Sequence, residues 1–371
     1  MKVPLSKPDI TALEKKYVHQ VLNSGQLSFG NMLHRFEQSF RNTFHSSHAA
    51  AMNSGTSALH VAVKALGLQA GDEVITTPYS FVASGNCLLY EGVKPVFVDI
   101  DPNTFNIDAS RIEAAITPKT KAILVVHVFG IPCDMDEIQR IAKAHQLLVI
   151  EDACEAIGAE WKGRPAGTLG DIGVFAFYPN KQITTGEGGI LLTDNLHYYH
   201  LACSLRNQGR DPDSEWLTHD RVGYNYRMSD LQAAVGVAQM ERLPSILGKR
   251  ERAAARYVRL IRKAGLPVET LTPLPDSKMS WFVFIVKLPE GTDRSLVIER
   301  LERSGVQSKP YFPSIHLFPY YRSLFGFKEG DFPISESISK RTIAIPFYSN
   351  ITAKEQAYVV ACLSEALKGE G

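Results

Sequence analysis

From about residue 46 the sequence alternates short, largely apolar runs with longer stretches of helical periodicity, and no other feature constrains the fold as much. The runs at 73–77 (EVITT), 95–99 (PVFVD), 121–126 (KAILVV), 147–151 (LLVIE), 172–177 (IGVFAF) and 189–193 (GILLT) have the length of strands. Between them Thr56–Leu66, Phe81–Tyr90, Ala109–Ile116 and Asp134–His145 read as helices. Strand–helix alternation predicts a mostly parallel sheet with helices on both faces. The runs do not switch between apolar and polar, which fits strands covered on both sides.

At 371 residues the chain is long for one compact core, so two domains are expected. Amphipathic stretches at Ile10–Asn23 and Asn31–Phe44 precede the sheet, and Ser229–Leu247 and Lys249–Ala264 follow it as long helices. Beyond Pro267 the pattern becomes strand, helix and strand, closing with a helix at Ala353–Leu367. A boundary near residue 248 would divide a large α/β domain, 1–248, from a smaller α+β domain, 249–371.

Charge narrows the function. Forty basic residues against 39 acidic ones leave no electrostatic footprint for nucleic acid or an anionic membrane. Five scattered cysteines, without a CxxC pair or a neighbouring His cluster, argue against a zinc site or a disulfide framework. They suit a reducing compartment. With no signal-peptide pattern and no apolar run of membrane length, a cytoplasmic protein is expected.

In open parallel sheets ligands gather at the carboxyl ends of the strands. Three features fall there. In Asn53-Ser-Gly-Thr-Ser-Ala-Leu59, Gly55 permits close approach, and Thr56, Ser57 and the first N–H groups of a helix can cradle an anion. Taken singly, the stretch is also an ordinary Ser/Thr cap. Asp152, after the run ending Ile150-Glu151, would put its carboxylate at the mouth of the crevice, where it can hold a ring nitrogen protonated or merely cap a turn. Lys181 stands alone between two apolar runs, ahead of Gly186-Glu187-Gly188-Gly189. A lysine there is either a solvated loop residue or a desolvated amine able to form a Schiff base. Phe81, following the 73–77 run, is a candidate to stack on a ring or an ordinary core residue.

Cradle, acid and amine together are the parts needed to hold pyridoxal 5′-phosphate (PLP). At this point the chain resembles the DegT-type sugar aminotransferases, PLP enzymes with the type I (aspartate aminotransferase-like) fold. The resemblance runs nearly end to end. It rests on Ser24-Gly25…Gly30, Asn53–Leu59, Gly71-Asp-Glu-Val74, Thr77-Pro78…Phe81-Val-Ala83, Pro95–Asp99, His127-Val-Phe-Gly130 and Glu151-Asp152-Ala153. It continues through Gly170-Asp171, Lys181…Gly186-Glu-Gly-Gly189, Leu205-Arg-Asn207, Gly223-Tyr-Asn-Tyr-Arg-Met228, Gln232-Ala-Ala234 and Tyr311…Pro313…His316.

The resemblance implies that Lys181 binds PLP covalently and shuttles protons, that Asp152 pairs with the pyridine nitrogen, and that Phe81 stacks on the ring. Gly55, Thr56 and Ser57 would hold the phosphate, and Asn225 would reach the phosphate of a neighbouring subunit in a homodimer. His316 would lie near the substrate entrance, with Tyr311 also binding substrate. The implied reaction passes an amino group from L-glutamate (or glutamine) through pyridoxamine phosphate (PMP) to a keto sugar, foremost a nucleotide-linked hexosulose. Loop 210–222 would help select the acceptor. A cyclitol ketone is the alternative acceptor. A PMP-dependent sugar dehydratase is the less favoured relative, since there histidine replaces the lysine, and a non-catalytic regulatory protein would not need Asp152 and Lys181 together. Two departures stand out: Ala176 occupies a place where the family often has Ser for the phosphate, and Glu155 one where it usually has Gln or His beside the cofactor. An acid there would alter hydrogen bonding at the cofactor's hydroxyl edge, or favour a protonated partner.

Overall fold

The computed structural model describes residues 1–368 except 212–214 and 216. Its centre is a seven-stranded sheet made of β1 (His48–Met52), β2 (Glu73–Thr76), β3 (Lys94–Phe97), β4 (Thr120–Val126), β5 (Leu148–Asp152), β6 (Ile172–Ala176) and β7 (Gly189–Thr193). The spatial order is β1-β7-β6-β5-β4-β2-β3. β3, β2, β4, β5 and β6 run parallel, while β7 is antiparallel to both β6 and β1. The expected mostly parallel α/β sheet is therefore present, with one reversed strand. The reversal matters: it brings the loop after β6 and the start of β7 to the edge where β2, β4 and β5 end.

Both faces of the sheet are covered, which is why the strands lack alternation. Ala50, Met52, Leu124, Ile150, Val174 and Leu191 join one buried cluster, and their strand neighbours Ala49, Ala51, Phe175, Ile190 and Leu192 join another on the opposite side. Helix α3 (Gly55–Ala65) lies across β6 and β7. On the other side α1 (Ala12–Ser24), α2 (Asn31–Phe44) and α7 (Asp230–Glu241) pack together, and α2 brings Phe36 and Phe40 against Phe177.

Several element limits differ from the sequence reading. β1, with the sequence HAAAM, was not anticipated as a strand, because alanine carries little strand preference; its pairing with β7 decides it. Ala109–Ile116 forms two short 3₁₀ turns, Ala109–Arg111 and Glu113–Ala115. The helix expected at Phe81–Tyr90 spans Ala83–Leu89 and leaves Phe81 in the turn before it. The break expected between Leu247 and Lys249 lies at Arg242. Pro244, which has no N–H to give a preceding turn, opens α8 (Leu243–Lys263), and that helix runs unbroken through 248.

C-terminal to α8, Glu269–Thr270, Phe284–Lys287, Thr342–Ile345 and Lys309–Pro310 form a four-stranded antiparallel sheet. Its core includes Tyr257, Phe284, Val286, Ile343 and Leu363, and Val3 from the N-terminus joins it. The closing helix spans Ala353–Leu367 as expected, begun by a capping box of Thr352 and Glu355. Among the described residues no helix is long and apolar enough to cross a membrane.

Candidate active site

The carboxyl ends of β1, β4, β5 and β6 and the start of β7 border a cavity of about 570 Å³, closed on the far side by residues from the C-terminal half. Asp152, Glu155, Lys181, Gly55, Thr56 and Phe81 all line it. Each arrives by a separate local device.

β1 ends at Met52, and the chain turns at once into α3. Ser54 is the N-cap, its hydroxyl oxygen accepting from Ser57 N–H at 3.0 Å, while its carbonyl accepts from Ala58 N–H at 3.1 Å. This leaves the Gly55 and Thr56 N–H groups as the first-turn donors that no helix carbonyl reaches, at the cavity wall. A Cβ on Gly55 would come within 2.5 Å of the Ala176 Cβ, so only glycine lets the helix end approach β6 this closely. A Cβ on Gly189 would strike the Ser54 carbonyl, which gives the last glycine of the 186–189 turn its purpose. Ser57 is a correction. Its hydroxyl donates to Asn53 Oδ1 at 2.7 Å and its side chain is buried in the capping network, outside the cavity wall; Ser54 lines the wall instead.

β5 delivers two successive carboxylates to opposite faces. Glu151 points away from the cavity, accepting N–H groups from Gly167, Leu169 and Gly170 at 2.5–2.7 Å and meeting His127 Nε2 at 2.8 Å. It anchors a loop. Asp152 faces the cavity, with Oδ1 accepting from Cys154 N–H at 3.1 Å and Oδ2 from the Ser84 hydroxyl at 2.7 Å. Ser84 in turn touches the Ser80 hydroxyl at 2.7 Å. The carboxylate is held by short polar contacts and keeps one side open to the cavity.

Lys181 sits in the connection between β6 and β7. Its N–H donates to the Tyr178 carbonyl at 2.9 Å, and Phe177 continues the ladder by donating to Gly188 O at 2.9 Å. The adjacent Gln182 reaches the carbonyls of Glu155 (2.6 Å) and Ser280 (3.2 Å), pinning the loop to two distant segments. The Lys181 side chain is only 13 % exposed. Its Nζ lies 3.3 Å from Glu155 Oε1 and 4.1 Å from the centre of the Phe282 ring. The amine is thus neither solvated nor free to wander.

Glu155 stands in the turn after β5, with Oε2 accepting the Phe129 N–H at 3.0 Å. Phe129 is buried with φ of 55°, a left-handed backbone that aims this N–H inward. Burial pushes the Glu155 carboxyl above the ordinary glutamate value, against the pull of Lys181. Phe81 is 59 % exposed at the opening, and Tyr311 lines the wall with its hydroxyl pushed up to about 12 by burial.

One expected site residue is not brought in. His316 is fully buried, its Nε2 3.0 Å from Glu336 Oε1 and its ring packed edge-on against Phe332. It ties down the 315–336 segment and does not stand at an entrance. Asn225 is exposed and lies outside this chain's own cavity wall, with its carbonyl accepting from the Asn53 side chain at 3.3 Å. Of loop 210–222, expected to select the acceptor, residues 212–214 and 216 lie outside the described residues. Phe282 and Phe312 complete the wall; they carried no sequence signal of their own and arrive from more than a hundred residues downstream, while Ser84 acts through its bond to Asp152.

The donor set fits PLP. Unclaimed N–H groups at a helix start suit a phosphate, a buried carboxylate suits a ring nitrogen, and a desolvated amine suits an aldehyde. Among the described residues no group of three or more His, Cys, Asp or Glu side chains is placed to hold a metal ion.

Comparison with known proteins decides the family. Residues 8–364 match the model of the DegT/DnrJ/EryC1/StrS aminotransferase family. The chain belongs to that family. A GDP-perosamine synthase of Caulobacter vibrioides is 38 % identical over 99 % of this chain and 98 % of its own length. Among solved structures, Helicobacter pylori PseC, an aminotransferase involved in the biosynthesis of pseudoaminic acid, superimposes with a TM-score of 0.93 at 29 % identity, covering 99 % of both chains. The PLP-form of Spr1654, a putative sugar aminotransferase from Streptococcus pneumoniae, gives 0.92 at 28 % identity over 99 % of this chain and 98 % of its own. The expected family and fold are therefore present, and this member of the DegT/DnrJ/EryC1/StrS aminotransferases is an enzyme of amino-sugar biosynthesis.

Proposed function

We propose that the cavity holds PLP and that this aminotransferase passes an amino group from L-glutamate or glutamine to a nucleotide-linked hexosulose. One observation carries the reading: Lys181 Nζ and the Asp152 carboxylate line the same cavity as the bare N–H groups of α3. The chemistry the bound group supplies is an electron sink for the carbanion at the donor's Cα.

The chain's own residues do the rest. Gly55 and Thr56 N–H would take the phosphate; Ala176 offers no hydrogen bond there, so the phosphate would lean on the helix start. Asp152, held in place by the Ser84 hydroxyl and the Cys154 N–H, would pair with the ring nitrogen. Phe81, at the cavity opening, would cover one face of the ring. The neutral Lys181 amine takes the donor's α-proton and later returns a proton to the product, as general base and then acid. Phe282, Tyr311 and Phe312 exclude water.

A nucleotide-linked acceptor draws support from the relative named GDP-perosamine synthase. Lys181 itself opposes the dehydratase reading. We also propose a homodimer in which Asn225, exposed and outside its own cavity, serves the partner's phosphate. Phe29, Phe81 and Val222 are exposed apolar side chains that such an interface would cover. A cytoplasmic location fits five free cysteines, and a domain division near residue 248 is proposed with α8 crossing it.

The test is reconstitution with PLP followed by absorbance. A band that shifts when glutamate is added, and glutamate-dependent amination within a panel of keto sugars, are expected. Absence of any band would refute cofactor binding, and a band blind to amino donors would point to other PLP chemistry.

A further inference from the structure

Glu155 is set up differently from the other carboxylates of the cavity. One oxygen is fixed by Phe129 N–H, and the other, Oε1, has among the described residues a single neighbour in hydrogen-bond reach, the Lys181 amine at 3.3 Å. The side chains of Lys181 and Glu155 are 13 % and 7 % exposed, so water has little access to either. The Phe282 ring on the amine's other side favours the ammonium form, whereas the reacting lysine has to be neutral. In such a pocket an ammonium–carboxylate pair competes with an amine–carboxylic acid pair, because separated charges lose their hydration there.

We propose that Glu155 is the proton partner of Lys181, taking the proton from Nζ and giving it back inside the closed cavity. In the forward step an N–H bond at Nζ breaks and an O–H bond forms at Oε1. The ammonium and carboxylate become amine and carboxylic acid, with no net change of charge and no other reactant. The amine is then reset without a path to solvent.

The other titratable groups facing Glu155 agree with this. Asp152 and Cys154, from the end of β5, and Tyr79 and Tyr311, from the loops beside it, supply no second cation. Asp152, as a negative charge, favours the protonated carboxyl, and burial acts in the same direction. Lys181 opposes it most, and only while it carries the proton; the Phe129 N–H opposes it to a smaller degree in both states.

This inference rests on Lys181 as the reacting amine, but its test does not depend on turnover. Infrared difference spectroscopy on the full-length chain, freed of cofactor, reads the carbonyl stretch of a protonated carboxylic acid. At about pH 7, where an ordinary glutamate is fully ionised, the wild type is expected to show this band. It is expected to be lost in Glu155→Gln and strengthened in Lys181→Met, which cannot donate the proton or hold the carboxylate. A band found only in Lys181→Met would mean a fixed ion pair and overturn the proposal, as would no band in either protein. Should Glu155→Gln not fold, the wild type and Lys181→Met decide between these outcomes by themselves. PLP absorbance of the reconstituted wild type is a separate reading: its failure would remove the proposed cofactor while leaving the carboxyl band to be judged alone.

Discussion

Two buried cation–carboxylate pairs in this molecule look alike and are built for opposite ends. Arg206 Nη1 meets Glu37 Oε1 at 2.5 Å, and both side chains are also bonded to the backbone of β1: the guanidinium to Ala51 O at 2.7 Å, the carboxylate to Ala51 N–H at 2.9 Å. Burial works against the Arg206 charge, but Glu37 overrides it and holds the guanidinium more firmly protonated than usual. Both side chains are tied to the Ala51 peptide as well as to each other, so the pair holds β1 in place. Lys181 and Glu155 are farther apart, share one contact, and border open volume. A pair closed on the backbone is structural; a pair with one side facing a cavity can exchange what it holds.

The largest effect should come from Lys181→Arg. It keeps a cation near Glu155 but removes an amine that can lose its proton, so turnover should fall by roughly 10⁴-fold or more while the melting temperature stays near the wild type. Retained amination in a steady-state assay would break the comparison on its functional side. Asp152→Asn should follow, losing about two to three orders of magnitude in turnover, with weaker PLP binding by absorbance titration. On the structural side, Arg206→Met should cost about 3–5 kcal/mol in denaturant unfolding by stranding Glu37, and Arg206→Met/Glu37→Met should recover most of it. The PLP band of the refolded variants should be unchanged; a changed band would mean that the first pair also serves the cavity.

Smaller effects sharpen the picture. Gly55→Ala should weaken PLP binding by about tenfold or more and cost about 1–3 kcal/mol of stability, since the added methyl pushes the start of α3 off β6. His316→Gln should cost about 1–2 kcal/mol. Burial lowers the His316 pKa from its ordinary value, so its neutral form is favoured in the fold. The stability it contributes is full above about pH 6.5 and is lost as the pH falls below the unfolded value toward the folded one. Melting curves across that window should show this slope in the wild type and a flatter one in the variant.

Much of this was legible because it is local. The parallel sheet follows from apolar runs covered on both sides; Asp152 stands out because it directly follows such a run, and Lys181 because it stands alone between two of them. The reversal of β7 and the strand at His48–Met52 were not legible, since alanines become a strand only through the partner beside them. His316 misled for a related reason: a histidine after Tyr311 and Pro313 says nothing about Glu336 waiting to receive it. Phe282 has no local signature at all, because its role arises only where Gln182 and Ser280 bring two distant segments together.

That junction between Gln182 and Ser280 has a practical corollary for anyone dissecting the protein. A fragment stopping at the end of α8 would retain the lysine, both acids and the start of α3, yet it would lose the aromatic lid and the carbonyl that steadies Gln182. It would offer a trough open to bulk water, and its lysine would behave as an ordinary surface amine.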